Sequence, residues 1–129
     1  MTGSTKELQD LLKRFKNPIN YGVIDNADAV SEEADYSCGD KVKIYLKFVE
    51  GRVINARFTS EACLFCNASA SLLTDLVKGK TIDEMLNLRD EDLLGFFNAD
   101  SRSPRYRCIM LPLKALRKAL KALNPDLNI

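Results

Sequence analysis

The spacing of apolar positions changes along the chain, and each change marks an element. Over residues 5–16, Leu8, Leu11, Leu12 and Phe15 recur at helical spacing, which predicts a short amphipathic helix. Asn17-Pro18 ends it, because proline disfavours helical backbone in the residue before it. Residues 17–37 are rich in turn formers such as Asn20, Gly22 and Asn26, with room for a first strand within 27–36. Over 41–49 the period becomes two. Val42, Ile44, Leu46 and Phe48 fall on one face, and Lys41, Lys43, Tyr45 and Lys47 on the other, which predicts a strand with one buried and one wet face. Glu50-Gly51 reads as a tight turn into a returning strand over 52–60, carrying Val53, Ile54, Ala56 and Phe58.

From Leu64 the period returns to about 3.6. Leu64, Ala68, Leu72, Leu73, Leu76 and Val77 form a stripe that Gly79 terminates. Thr81 and Glu84 have capping-box spacing at the start of a short helix. Another helix is expected over 89–97, and a turn over 101–104. After Cys108 a last helix runs to about residue 123, with Leu113, Leu116, Leu120 and Leu123 inward and Lys114, Arg117, Lys118 and Lys121 outward. Pro112 is acceptable if it falls in that helix's first turn. A helix, a small sheet and a run of helices make an α+β layout. With 129 residues, the chain is expected to be one domain over 1–129, loose at about 1–5 and 125–129.

Composition narrows the chemistry. Nineteen basic residues against eighteen acidic give a net charge of +1, so no strong field gathers nucleic acid. No apolar run is long enough to span a bilayer. The opening MTGSTKELQD lacks the apolar core of an export signal, so a cytoplasmic location is expected. There is no histidine, which excludes Ser-His-Asp and Cys-His catalysis and HExxH zinc sites.

Four cysteines remain: Cys38, Cys63, Cys66 and Cys108. In a reducing compartment, cysteines are more often ligands or redox groups than structural disulfides. Each falls where one element gives way to another, and a helix start lowers a thiol's pKa. In extended backbone, residues i and i+2 point the same way, so Cys38 and Asp40 can face one site. Gly39 between them leaves space for a metal or a partner's backbone. The plainer reading is that a buried cysteine acts as a small hydrophobe. Cys63-x-x-Cys66 alone would suit a thiol–disulfide oxidoreductase, but it leaves Cys38 and Cys108 without a role.

The chain resembles the IscU/SufU/NifU-type scaffold proteins of iron–sulfur cluster assembly over residues 10–123. Asn17-Pro18-Ile19-Asn20-Tyr21-Gly22 is similar to the family's opening motif, and Cys38-Gly39-Asp40 to its CGD. Asn55-Ala56-Arg57-Phe58 with Ala62-Cys63 resembles its second cysteine segment. Ala68-Ser69-Ala70-Ser71 and Val77-Lys78-Gly79-Lys80 resemble the helix that follows. Arg107-Cys108 with Leu113-Lys114-Ala115-Leu116 resembles its third cysteine and last helix. The resemblance implies a three-stranded antiparallel sheet packed on helices, and a scaffold rather than an enzyme with turnover of its own. It implies sulfur taken as persulfide from a cysteine desulfurase, iron built with it into a [2Fe–2S] cluster, and transfer to carriers or apo iron–sulfur proteins. By position, Cys38, Cys63, Cys108 and Asp40 hold the cluster. Cys108 and Cys38 are the candidate persulfide acceptors, and Asp40, a harder ligand than thiolate, assists release. A cluster-bound homodimer is consistent with that chemistry.

Three departures bear on this expectation. Arg107 stands where IscU members have histidine, as in SufU-like members, and arginine does not normally ligate a metal. Cys66 stands where serine or alanine is usual, and is either an extra ligand or sulfur relay or a packed core residue. The LPPVK segment read by a dedicated Hsp70 chaperone is absent, and so is the long insertion of SufU proteins. The alternative function is a zinc-bound sulfur-transfer protein that activates its desulfurase, with Zn²⁺ held by Cys38, Asp40, Cys63 and Cys108.

Overall fold

The computed structural model describes residues 5–37 and 39–126, with side chains from residue 9 onward. Cys38, a candidate ligand and sulfur acceptor, lies outside the described residues. Alternation builds the central sheet. Strand β1 (Ala29–Asp35), β2 (Asp40–Val49) and β3 (Arg52–Glu61) pair antiparallel in the order β1-β2-β3. In the β2–β3 ladder Val49 faces Arg52, which leaves Glu50 and Gly51 as the two-residue turn. Both have positive φ, 51° and 79°, the backbone that matches the twist of the strands it joins.

Register assigns the faces. Ser31, Ile44 and Phe58 lie side by side on the inner face, next to Ala29, Leu46 and Ala56. All six are buried. The outer face carries Lys41, Lys43 and Lys47, as the alternation predicts. Tyr45 differs: it is on that face yet only 7% exposed. Val30 and Arg57 flank it in the ladder, the Lys43 ammonium lies 5.9 Å from its ring centre, and long neighbours cover what the pleat leaves open.

Helix α1 (Thr5–Lys16), α2 (Leu64–Val77), α3 (Ile82–Leu86), α4 (Asp90–Leu94) and α5 (Tyr106–Leu123) follow the predicted order. The expected single helix over 89–97 is instead α4 followed by a 3₁₀ turn, Gly95–Phe97. Helices α2 and α5 pack on each other and on the inner face of the sheet. The serines of α2 allow this close approach. Ser69 donates to the Ile109 carbonyl of α5 at 2.5 Å, and Ser71 accepts from Arg14 of α1 at 2.8 Å.

Two expectations about α5 change. The helix begins at Tyr106, so Cys108 lies within its first turn and Pro112 lies in its interior. Proline there removes the N–H that would bond the Cys108 carbonyl, and its ring crowds that carbonyl. Burial of the flanking Leu111 and Leu113 holds the helix together across this defect. Leu12, Leu64 and Leu123, expected on apolar stripes, are 49%, 60% and 37% exposed, and Ile54 of β3 is 56% exposed.

Candidate metal centre

Three elements bring ligand atoms to one point. Asp40 opens β2, Cys63 precedes α2, and Cys108 sits in the first turn of α5. Their ligand atoms all lie within 4.8 Å of one another. Four thiolates or carboxylates around a tetrahedral ion at about 2.3 Å would stand about 3.8 Å apart. The three atoms are thus gathered on the scale of one tetrahedral ion.

Asp40 is 6% exposed. Its Oδ1 accepts the Cys63 N–H at 3.1 Å, so the carboxylate itself pins β2 to the start of α2. Its Oδ2 is buried with no hydrogen-bond partner among the described residues. A buried carboxylate oxygen left unsatisfied is costly, and a cation placed among these three residues would satisfy it. The donor set of two sulfurs and a carboxylate oxygen suits zinc or an iron–sulfur cluster.

Cys63 has extended backbone and no side-chain cap of the helix it precedes, and the first turn of α2 holds no acidic residue. The unpaired N–H groups and positive end of the helix are thus open to a thiolate. Cys108 is 7% exposed. Burial pushes its thiol well above the usual range, and the neighbouring Cys63 and Asp40 push it further. In this state Cys108 carries its proton, and an arriving ion must displace it.

Cys66 is not among the three converging residues. It is fully buried within the main core, one helical turn beyond Cys63. Of the remaining predicted residues, Gly39 has φ of 77°, and a Cβ there would meet nothing within 4 Å. The positive φ is one reason for glycine there, and the open space beside it is compatible with the expected close approach of a metal or a partner.

Three contacts around the site escaped the sequence reading. Arg105, just before α5, stacks its guanidinium 4.9 Å from the Phe65 ring centre, inside Cys63-Leu64-Phe65-Cys66. Phe65 in turn meets Phe15 of α1 edge-on at 5.2 Å, so Phe15 belongs to a packed aromatic cluster. Arg107 reaches Asp35 at the end of β1, Nε to Oδ2 at 3.0 Å. The Asp35-x-Ser37 spacing is a legible turn signal, but its distant arginine partner is not.

A family model for the NifU-like N terminal domain matches residues 6–125. The chain is 33% identical over 106 residues to an iron–sulfur cluster assembly scaffold protein, IscU 1, of Archaeoglobus fulgidus, covering 82% of this chain and 69% of that one. It is 32% identical over 118 residues to the Drosophila melanogaster protein named iron–sulfur cluster assembly enzyme IscU, covering 87% and 74%. Among solved structures it superimposes, with a TM-score of 0.73 and 29% identity, on a cluster assembly scaffold protein described for the SUF system of Fervidobacterium islandicum AW-1. That match covers 92% of this chain and all of that one.

Proposed function

The chain belongs to the NifU-like N-terminal domain family, and on that premise we propose that it is a scaffold for iron–sulfur cluster assembly. The observation that carries the reading is the convergence of Asp40, Cys63 and Cys108 around a buried carboxylate oxygen that has no partner among the described residues. The cluster is cargo here, not a resident cofactor. Cys63 and Cys108 supply thiolates, the preferred ligands of cluster iron. Asp40 supplies a harder oxygen ligand that an acceptor's thiolate can replace. Cys38, two residues before Asp40, completes the set.

Sulfur enters as persulfide from a cysteine desulfurase. An acceptor thiolate attacks the outer sulfur, a new S–S bond forms on the scaffold, and the desulfurase thiolate leaves. A two-electron reductant then releases that sulfur as sulfide for the cluster. Cys108 is buried and protonated in this state, so it accepts sulfur only once an ion or partner has drawn off its proton. The finished [2Fe–2S] cluster passes to carriers or apo-proteins.

A zinc-bound sulfur-transfer role is the second reading, favoured by Arg107. Its guanidinium is engaged with Asp35 and cannot serve as a ligand, which leaves a three-thiolate, one-carboxylate set suited to tetrahedral zinc.

Anaerobic reconstitution with iron, cysteine and a cysteine desulfurase tests both readings. Visible absorption is followed, and iron, sulfide and zinc are counted per chain. A near-stoichiometric [2Fe–2S] chromophore that transfers to apo-ferredoxin is expected. Tightly held zinc, no cluster and a faster desulfurase would replace the scaffold reading with the sulfur-transfer one.

A further inference from the structure

We propose that Arg107 is a positioning residue that holds the cysteine-bearing β1–β2 turn against α5, through its ion pair with Asp35. The inference rests on the reading that Cys38, within that turn, is a ligand.

Asp35 pairs with Asp40 across the β1–β2 ladder. Residues opposite one another in such a ladder project to the same face, so Asp35 and the ligand Asp40 stand side by side under α5. They divide the work. Asp40 turns to Cys63 and Cys108. Asp35 turns to Arg107, Nε to Oδ2 at 3.0 Å, and its carboxylate side chain is only 10% exposed.

The same carboxylate shapes the turn. Its Oδ1 accepts from the Ser37 N–H at 3.0 Å and the Ser37 hydroxyl at 2.6 Å. The Asp35 carbonyl accepts the Gly39 N–H at 2.9 Å. Both chain neighbours of Cys38 therefore bond to Asp35, and the Asp35 carboxylate that holds Ser37 is itself tied to Arg107. Arg107 in turn precedes Cys108 directly in the chain. One exposed arginine thus fixes the distance between the segments that carry two of the cysteines. Residues that orient metal ligands in this way matter to metal affinity even though they never touch the ion.

The sign of the effect separates this role from a plain charge effect. A cation near a binding site repels an incoming metal ion, so removing Arg107 for its charge alone would tighten metal binding. Removing it as a brace weakens metal binding.

The test is a Co²⁺ titration of the full chain under reducing conditions, read by thiolate-to-cobalt charge-transfer absorption. Arg107→Leu and Asp35→Asn are each expected to weaken Co²⁺ binding by about tenfold or more. Asp35→Asn keeps an Oδ1 acceptor for Ser37 while removing the charge that pairs with Arg107. The double variant is expected to lose no more than Arg107→Leu alone, because both changes break one contact. Arg107→Lys, which keeps the charge and most of the reach, is expected to recover most of the affinity. At saturation Arg107→Leu should match wild-type absorption, since its ligands are unchanged, whereas Cys38→Ala should lose a thiolate's share. If Cys38→Ala loses that share but Arg107→Leu binds as tightly as wild type, or the two single losses add, the positioning role is wrong. If Cys38→Ala keeps full absorption and affinity, the ligand reading of Cys38 fails and the proposal falls with it.

Discussion

The two ends of α2 are finished in opposite ways. At its C-terminal end side chains converge from three directions. Arg14, 8% exposed, reaches Asp75 at 2.8 Å and Asp10 at 3.0 Å. The Asn20 amide donates to Thr74 Oγ1 and Asp75 Oδ1, and its carbonyl accepts from Lys78 Nζ at 2.7 Å. Gly79, with φ of 84°, stops the helix, and its N–H bonds the Val53 carbonyl of β3. At the N-terminal end Cys63 gives the helix no side-chain cap, and the first turn of the helix holds no acidic residue. One helix therefore anchors the fold at one end and leaves the other end's N–H groups and positive dipole for thiolates. The lesson is a separation. Side-chain bonds are concentrated at the end away from the candidate site, and the candidate site keeps a buried carboxylate oxygen with no partner among the described residues.

The strongest way to break this comparison is Arg14→Met. Removing one partner of a largely buried ion pair strands the others, and the expected loss is about 3 kcal/mol, the low end for such pairs because Asp75 stays 30% exposed. Urea unfolding should show the drop while Co²⁺ affinity stays near wild type. A parallel loss of affinity would mean the two ends are coupled through α2.

Asn20→Ala comes next, at about 2 kcal/mol. It removes the amide contacts to α2 and places alanine at φ of 71°, a left-handed backbone that alanine disfavours. The same urea measurement checks it, and a loss below half that size would shift the anchoring role onto Arg14.

The pH dependence of the ion-free protein sharpens the other end. The Cys108 pKa is raised in the fold, so above about pH 9 the unfolded chain releases that proton while the folded chain keeps it. Stability then falls as pH rises, by at most about 1.4 kcal/mol per pH unit from this group. Cys108→Ala should flatten that part of the wild-type profile between pH 8 and 10.5, and an unchanged slope would contradict the burial of an ionisable thiol there.

Cys63→Ala should cost less than about 1 kcal/mol in the ion-free protein, because the residue makes no cap hydrogen bond. It should nonetheless cripple Co²⁺ binding, the mirror image of Arg14→Met. Smallest in stability is Asp40→Ala. Losing the Cys63 N–H bond and removing a buried oxygen that has no partner among the described residues offset each other to within about 0.5 kcal/mol. Its effect should appear instead in cluster lifetime, as slower loss of visible absorption after reconstitution. Equal or faster loss would remove Asp40 from the release step.

Much of the architecture was legible. The period-two run at 41–49, the two-residue turn at Glu50-Gly51 and the capping box at Thr81 are all local signals, and each corresponds to an element. Failures came where tertiary context overrode them. Tyr45 reads as wet by alternation but is covered by neighbours on other strands. Pro112 reads as a helix start, yet core packing carries α5 back to Tyr106. The motif Asn17 to Gly22 reads as a string of turn formers, and its use emerges only where Asn20 meets Thr74 and Asp75.

The same division holds at the site. Residue type alone sets which atoms can bind a metal, so the donor chemistry, thiolates and a carboxylate with no imidazole, is readable from composition. The sequence also placed each donor at the edge of an element, since hydrophobic period and turn chemistry act over a few residues. Which donors meet is a matter of tertiary packing. It brought Asp40, Cys63 and Cys108 together and sent Cys66 into the core, and it gave Arg107 the partner Asp35. Those outcomes depend on how α2 and α5 cross the sheet, a result of packing summed over the whole core that no local pattern encodes.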